Sequence, residues 1–284
     1  MATFYNQATL SYNGISTQSN TTTGELVDVL AVRKTALTGT YGPGDHVTYV
    51  ISIVNSGTTA LTGLTVTDNL GAYTFDTSTL TPLTYTADAV RYYVNGVLQT
   101  APTVVAGPPL VFSGISIPAG GDAVLVYETT LNASAPLNAD STIVNTITVT
   151  GDGLTTAPTD TETITVRAEP QLAITKSLSP TQVMENGQLT YTFTIENSGN
   201  TAADAADLAA VTDTFTPPLR AISVTFNGTA WMEPTNYTYD AATGAFATVP
   251  GQITVPAATY VQNSTTGAWT VTPGVSVLTV TGTI

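Results

Sequence analysis

The sequence predicts an all-β fold: two tandem Ig-like β-sandwiches, the second lacking its last strand, preceded by an N-terminal donor strand. Three observations carry this reading. Short segments such as HVTYVISIV, LTGLTVTD, DAVLVYETT, STIVNTITVT and QLTYTFTIE alternate apolar residues with Thr or Ser, the period of a half-buried strand. Turn clusters (YGPGD, VNSGTT, IPAGGD, ENSGNT) separate them. Finally, the chain repeats itself.

The repeat fixes the domain boundaries. Leu30, Lys34, Tyr49, Asn55 and Gly57 fall on Leu172, Lys176, Tyr191, Asn197 and Gly199 at one offset of 142, and Asp68 falls on Asp213 after a three-residue insertion. That insertion, within TAADAADLAA, reads as a loop with a single helical turn, being too short for an isolated helix. Repeat one continues through STIVNTITVT and TETITVR, whereas repeat two stops at Ile284 before any such closing strand. The missing strand reappears at the start of the chain, where Asn6 and Gly14 match Asn145 and Gly153 at an offset of 139. The expected organisation is therefore a donor strand (1–14), a connector and approach to the first strand (15–29), a first repeat (30–168) and a second, incomplete repeat (169–284).

A Lys-Thr or Lys-Ser strand, then GPGDHVTY, an Asn-Ser-Gly turn and VTDNL resemble the domain-of-unknown-function-eleven repeats of bacterial and archaeal surface proteins. Repeat two departs from this pattern, with MENGQLTY in place of the Gly-Asp turn. The resemblance implies Ig-like modules on a cell envelope and no enzyme activity.

Composition narrows the function. Lys plus Arg total 6 against 20 Asp plus Glu, a net charge of −14, which disfavours nucleic acid and anionic membranes as partners. No stretch is apolar enough to span a bilayer, and MATFYNQATL lacks the basic start and apolar core of a secretory signal. The absence of Cys excludes disulfides and thiolate chemistry. A single His, His46, offers no second imidazole for a metal site and reads as a solvated residue at a strand start. Asp152 beside Gly153, and Asp204 with Asp207, read as polar turns rather than Ca²⁺ ligands. No cofactor is expected. Thr is about a fifth of the chain, as on exposed strand faces.

One pattern resists a purely structural reading. Lys34 is in phase with Leu30 and Val32, Asp68 with Leu64 and Val66, and Asn145 with Ile143 and Ile147. Lys176, Asp213 and Asn6 repeat these phases, and the chain has no other Lys. Such groups are rarely buried without a partner. A neutral Lys attacking an Asn carboxamide polarised by a protonated Asp would form an isopeptide bond; a buried salt bridge with Asn beside it is the equal alternative. The candidate sets are Lys34, Asp68 and Asn145 within one chain, and Lys176 and Asp213 with Asn6 of a neighbour.

The sequence thus points to a non-enzymatic subunit of an extracellular filament on a cell or spore surface, polymerising with copies of itself. Its donor strand (Phe4, Asn6, Ala8, Leu10, Tyr12) would complete repeat two of the next subunit. The rival readings are a monomeric adhesin or spacer whose first strand folds back on its own repeat two, and a carbohydrate-binding module using Trp231, Tyr237, Tyr239 and Trp269.

Overall fold

The computed structural model describes residues 2–26 and 28–284. It is all-β, with two compact units.

The first unit comprises the chain up to Asn132 together with Ile143–Ile164. Its central strands, His46–Asn55 and Asp122–Leu131, bury every second side chain, so each offers one apolar face to the core. One six-stranded sheet runs Val97–Leu98, Arg91–Val94, Asp122–Leu131, His46–Asn55, Leu30–Ala36, with Leu83–Tyr85 also on Asp122–Leu131. The other runs Thr103–Val105, Leu110–Ile117, Leu61–Asp68, Thr142–Thr150, Thr159–Val166, Thr40–Tyr41. Ile51, Ile53, Val66, Phe112, Leu125 and Ile147 have no exposed surface and form the apolar filling.

The second unit comprises Ala133–Thr142 and Thr165–Ile284. Its larger sheet runs Leu172–Ser179, Gln188–Asn197, Gly274–Thr283, Arg220–Phe226, Thr229–Trp231. Leu189, Phe193, Phe226, Phe246, Leu278 and Val280 belong to its core. The smaller sheet has three strands, Thr212–Thr214, Ala245–Thr248 and Tyr237–Asp240. Here the units part company. Leu61–Asp68 is flanked by Leu110–Ile117 and by Thr142–Thr150, whereas Thr212–Thr214 pairs with Ala245–Thr248 on one side and ends its sheet. The insertion before it contains one 3-10 turn, Ala205–Asp207. Asp204 accepts the Ala206 N–H and Asp207 accepts that of Asp204, at 2.8 and 2.9 Å; both carboxylates cap backbone, as a polar turn requires.

The N-terminal segment differs from the single strand expected over Phe4–Tyr12. It is a bent hairpin: Ala2–Asn6 pairs with Thr22–Leu26, and Thr9–Tyr12 with Ile15–Gln18. The cause is local. Asn13 and Gly14 both take positive φ, 46° and 79°, as a two-residue type I′ turn demands. At the break, Ser19 takes over: its N–H donates to Ala8 O (2.8 Å) and its hydroxyl accepts from Ala8 N–H (3.0 Å). Phe4, Tyr5, Leu10 and Tyr12 are all exposed.

Candidate functional site

In the first unit Lys34, Asp68 and Asn145 all lie in the core. Lys34 comes from Leu30–Ala36 in one sheet, and its ammonium crosses to Asp68 Oδ2 of the other at 2.5 Å, with neither side chain exposed. Ile147 is the register partner of Asp68, so Asn145, two residues away on the same face, is its diagonal neighbour. The strand alternation that packs Ile143, Ile147 and Val149 thus carries the carboxamide inward.

The turn after Asp68 aims backbone donors at the site. Leu70 N–H donates to Asp68 Oδ1 at 2.7 Å, and Gly71 N–H to Asn145 Oδ1 at 3.2 Å. Gly71 has φ +70°, and a Cβ there would stand 2.5 Å from the Ile143 side chain. Only glycine combines that backbone with that proximity. Tyr127 donates its hydroxyl to Asp68 Oδ2, and the Lys34 ammonium stands 4.6 Å from the Tyr49 ring centroid, a cation–π contact. Asn145 Nδ2 is buried without a hydrogen-bond partner among the described residues. Native structures rarely leave such an amide unsatisfied.

Electrostatics follow burial. Loss of hydration pulls the Lys34 pKa down to about 8, against the opposing pull of Asp68. Burial, then the charge of Asp68, pushes Tyr127 well up. Tyr49 is raised mainly by burial, although the neighbouring Asn145 amide acts in the opposite sense. A lysine with a lowered pKa, ion-paired to a carboxylate and sharing its core with a carboxamide whose oxygen accepts a backbone N–H, is the set of groups that amine attack on a carboxamide requires.

The second unit holds the same pair in a different setting. Lys176 donates to Asp213, and its ammonium lies 4.5 Å from the Tyr191 centroid. Its side chain, however, is 39% exposed. Leu172 and Ile174 on the same strand are 42% and 52% exposed, while Leu30 is 8%. A groove lined by Leu172, Ile174, Ile195, Val211 and Ile253 runs beside them. Among the described residues no hydrogen bond joins an asparagine to Lys176, and Asn6 is the register partner of Thr22 within the N-terminal hairpin.

The remaining candidates are structural. His46 opens its strand exposed, 2.9 Å from Glu128. Trp231 stacks on Phe226, Tyr237 is in the core, Tyr239 donates its hydroxyl to Leu219 O, and Trp269 pairs within a hairpin with Gln262. The first strand is not folded onto Thr212–Thr214. The repeated Asn of the Asn-Ser-Gly turn is a clamp. Asn55 is fully buried and binds Thr59 O, Pro118 O and Gly57 N–H; Asn197 likewise binds Thr201 O, Pro256 O and Gly199 N–H.

Sequence reasoning missed Tyr127 and Gly71. Tyr127 is in phase with buried Ala123 and Leu125, which predicts its burial but not its hydroxyl's target. Gly71 lies three residues after Asp68 in VTDNLG, a turn signal whose donors point at the centre only once folded.

No family model and no curated protein matches the chain. Among solved structures, it is similar to BcpA, the major pilin subunit of Bacillus cereus, with TM-score 0.36 and 11% identity over 96% of this chain and 73% of that one. It is similar to the pilus backbone RrgB of Streptococcus pneumoniae at TM-score 0.35 and 13% identity, covering 86% of this chain and 55% of that chain. A family 123 glycoside hydrolase from Clostridium perfringens matches at TM-score 0.32 and 10% identity, over 49% and 27% of the two chains. Pilins and an enzyme score alike, so these likenesses carry no argument about function.

Proposed function

We propose that the chain is a structural subunit of an extracellular surface filament, assembled head to tail by strand donation and locked by isopeptide bonds. The observation that carries this reading is the open edge at Thr212–Thr214, set against its closed counterpart Leu61–Asp68. An unpaired edge beside an exposed apolar groove favours strand addition. The sequence that closes the first unit has its copy at the N-terminus, where Phe4 and Leu10 are exposed. Donor and acceptor are different surfaces, so the contact propagates instead of closing on itself. This reading takes the protein to be extracellular, with copies of itself as partner, and keeps the resemblance of its sequence to domain-of-unknown-function-eleven surface repeats as part of the proposal.

In the first unit, Lys34 passes a proton to Asp68 and the neutral amine attacks Asn145 Cγ. The Gly71 N–H steadies the oxygen. As the new C–N bond forms and Cγ–Nδ2 breaks, the amine's second proton moves to Nδ2 and ammonia leaves. Lys176 and Asp213 would treat Asn6 of the neighbour in the same way.

Negative-stain microscopy over a concentration series tests the filament; particles that stay monomeric throughout would end the reading. Intact mass tests the chemistry separately. A lone subunit should be one ammonia lighter than its sequence, through the first unit alone, and boiled filaments should show an oligomer ladder. An unmodified mass in both would leave Lys34–Asp68 as a buried salt bridge.

A further inference from the structure

We infer that the donated element is the whole N-terminal hairpin, Ala2–Leu26, entering the second unit of another copy as Thr142–Val166 enters the first. This rests on the filament reading above and changes what is donated: two strands, not one.

Register is the first argument. In the first unit Thr146 Oγ1 meets Thr161 Oγ1 at 2.9 Å, Val149 N–H donates to Pro158 O and Val166 N–H to Ser141 O. These contacts set Asn145 opposite Glu162 and Ile143 opposite Ile164. In the N-terminal hairpin Asn6 pairs with Thr22 and Phe4 with Gly24. Laying Asn6 on Asn145 therefore lays Thr22 on Glu162 and Gly24 on Ile164. Over Ala2–Asn6 the two arms follow the same pairing scheme, with Phe4 opposite Gly24 where the first unit has two isoleucines; beyond the break at Ala8 and Ser19 the hairpin pairing shifts by one residue, Leu10 meeting Thr17. The Phe4 ring already covers Gly24, where a Cβ would stand 2.3 Å from Cζ.

The vacancy is the second argument. Beyond Leu61–Asp68 the first unit's sheet continues through both Thr142–Thr150 and Thr159–Val166. Beyond Thr212–Thr214 the second unit has neither. The outer arm has its own task in the first unit: Asp160 Oδ2 accepts the backbone N–H of Lys34 at 2.6 Å. Carrying the Ala2–Asn6 register outward puts Asn20 at that place, next to the break where Ala8 meets Ser19; its side-chain oxygen is the group available for the N–H of Lys176. A single donated strand would leave that N–H and the exposed flank of Leu172 and Ile174 uncovered.

Chain order is the third. Thr142–Val166 completes the first unit and leads, after residues 167–171, into the Lys176 strand of the second. Ala2–Leu26 leads, after residues 27–29, into the Lys34 strand of the first. Each hairpin thus stands immediately before a Lys strand in the chain.

The test uses the full chain with Ile15–Leu26 replaced by a Gly/Ser linker of equal length, beside a chain lacking Ala2–Gly14. Circular dichroism and intact mass establish that each keeps its two units. The hairpin predicts that neither forms filaments. It also predicts that a peptide of residues 2–26 shortens wild-type filaments at roughly 10-fold lower concentration than residues 2–14, because its register is preformed. Filaments from the linker chain, or equal potency of the peptides, overturn the hairpin and leave single-strand donation standing. Filaments from the chain lacking Ala2–Gly14 overturn donation itself.

Discussion

The two lysine centres are built from the same repeat, yet one is sealed and the other open. Lys34 and Lys176 each reach an aspartate on the opposite sheet and each lies over a tyrosine ring. What differs is the closing hairpin. Where Thr142–Val166 is present, the lysine is fully buried; where no counterpart is present, the side chain is 39% exposed and the aliphatics of its strand face solvent. The ion pair is therefore set by the sandwich, and its burial by the element that completes it.

The largest expected effect comes from preventing completion. Leu10→Asp should abolish filaments, because docking would bury an unpaired carboxylate, whereas Thr9→Asp, on the other face of its strand, should be mild. Equal filament mass by sedimentation in the two variants would show the facing to be wrong.

Next is the contrast between the pairs. In the Asn145→Ala background, where no cross-link can form, Asp68→Ala leaves Lys34 buried and uncompensated and should cost ~3–5 kcal/mol in the first unit. In the unassembled subunit Asp213→Ala should cost below ~1 kcal/mol, since Lys176 remains in water. Denaturant unfolding of monomers measures both; similar losses would break the comparison. In filaments, Lys176→Ala or Asp213→Ala should remove the boiled ladder while leaving assembly, which rests on backbone pairing and apolar burial.

The smallest effect is in pH. In Asn145→Ala, where no cross-link can form, Lys34 binds fewer protons folded than unfolded between about pH 8 and its unfolded value of 10.5. Stability therefore rises with pH across that window. Tyr49 and Tyr127, with raised pKa, act in the opposite sense once unfolded tyrosines ionise near ~10, so pH 7 to 9.5 is the range to measure. Adding Lys34→Met should flatten the slope; a slope that persists would assign it elsewhere.

Much of this was legible in the sequence. The offset of 142 located both Lys strands and both Asn clamps, and alternation placed Lys34, Asp68 and Asn145 inward. Phase is a local property, and a local pattern can report it. The bent hairpin is signalled only by Asn13–Gly14, whereas the match of Asn6 to Asn145 defines one strand and says nothing of its partner. Nor are Tyr127 and Gly71 legible, whose partners at the centre, Asp68 and Asn145, are 59 and 74 residues away in sequence. Distances across a sandwich have no period along the chain.

The Asn197 clamp has a kinetic consequence. It ties Gln188–Asn197 to the Thr201 and Pro256 carbonyls in the second unit, just as Asn55 ties the first to Thr59 and Pro118. In the proposed assembly that end of the second unit would need no reordering, and the N-terminal hairpin would bring its own pairing. Neither body has to order a long segment on encounter, so the loss of conformational freedom that slows coupled folding and binding is largely avoided. Growth should then be limited by how often two rigid bodies meet in the right orientation, giving an elongation rate linear in subunit concentration.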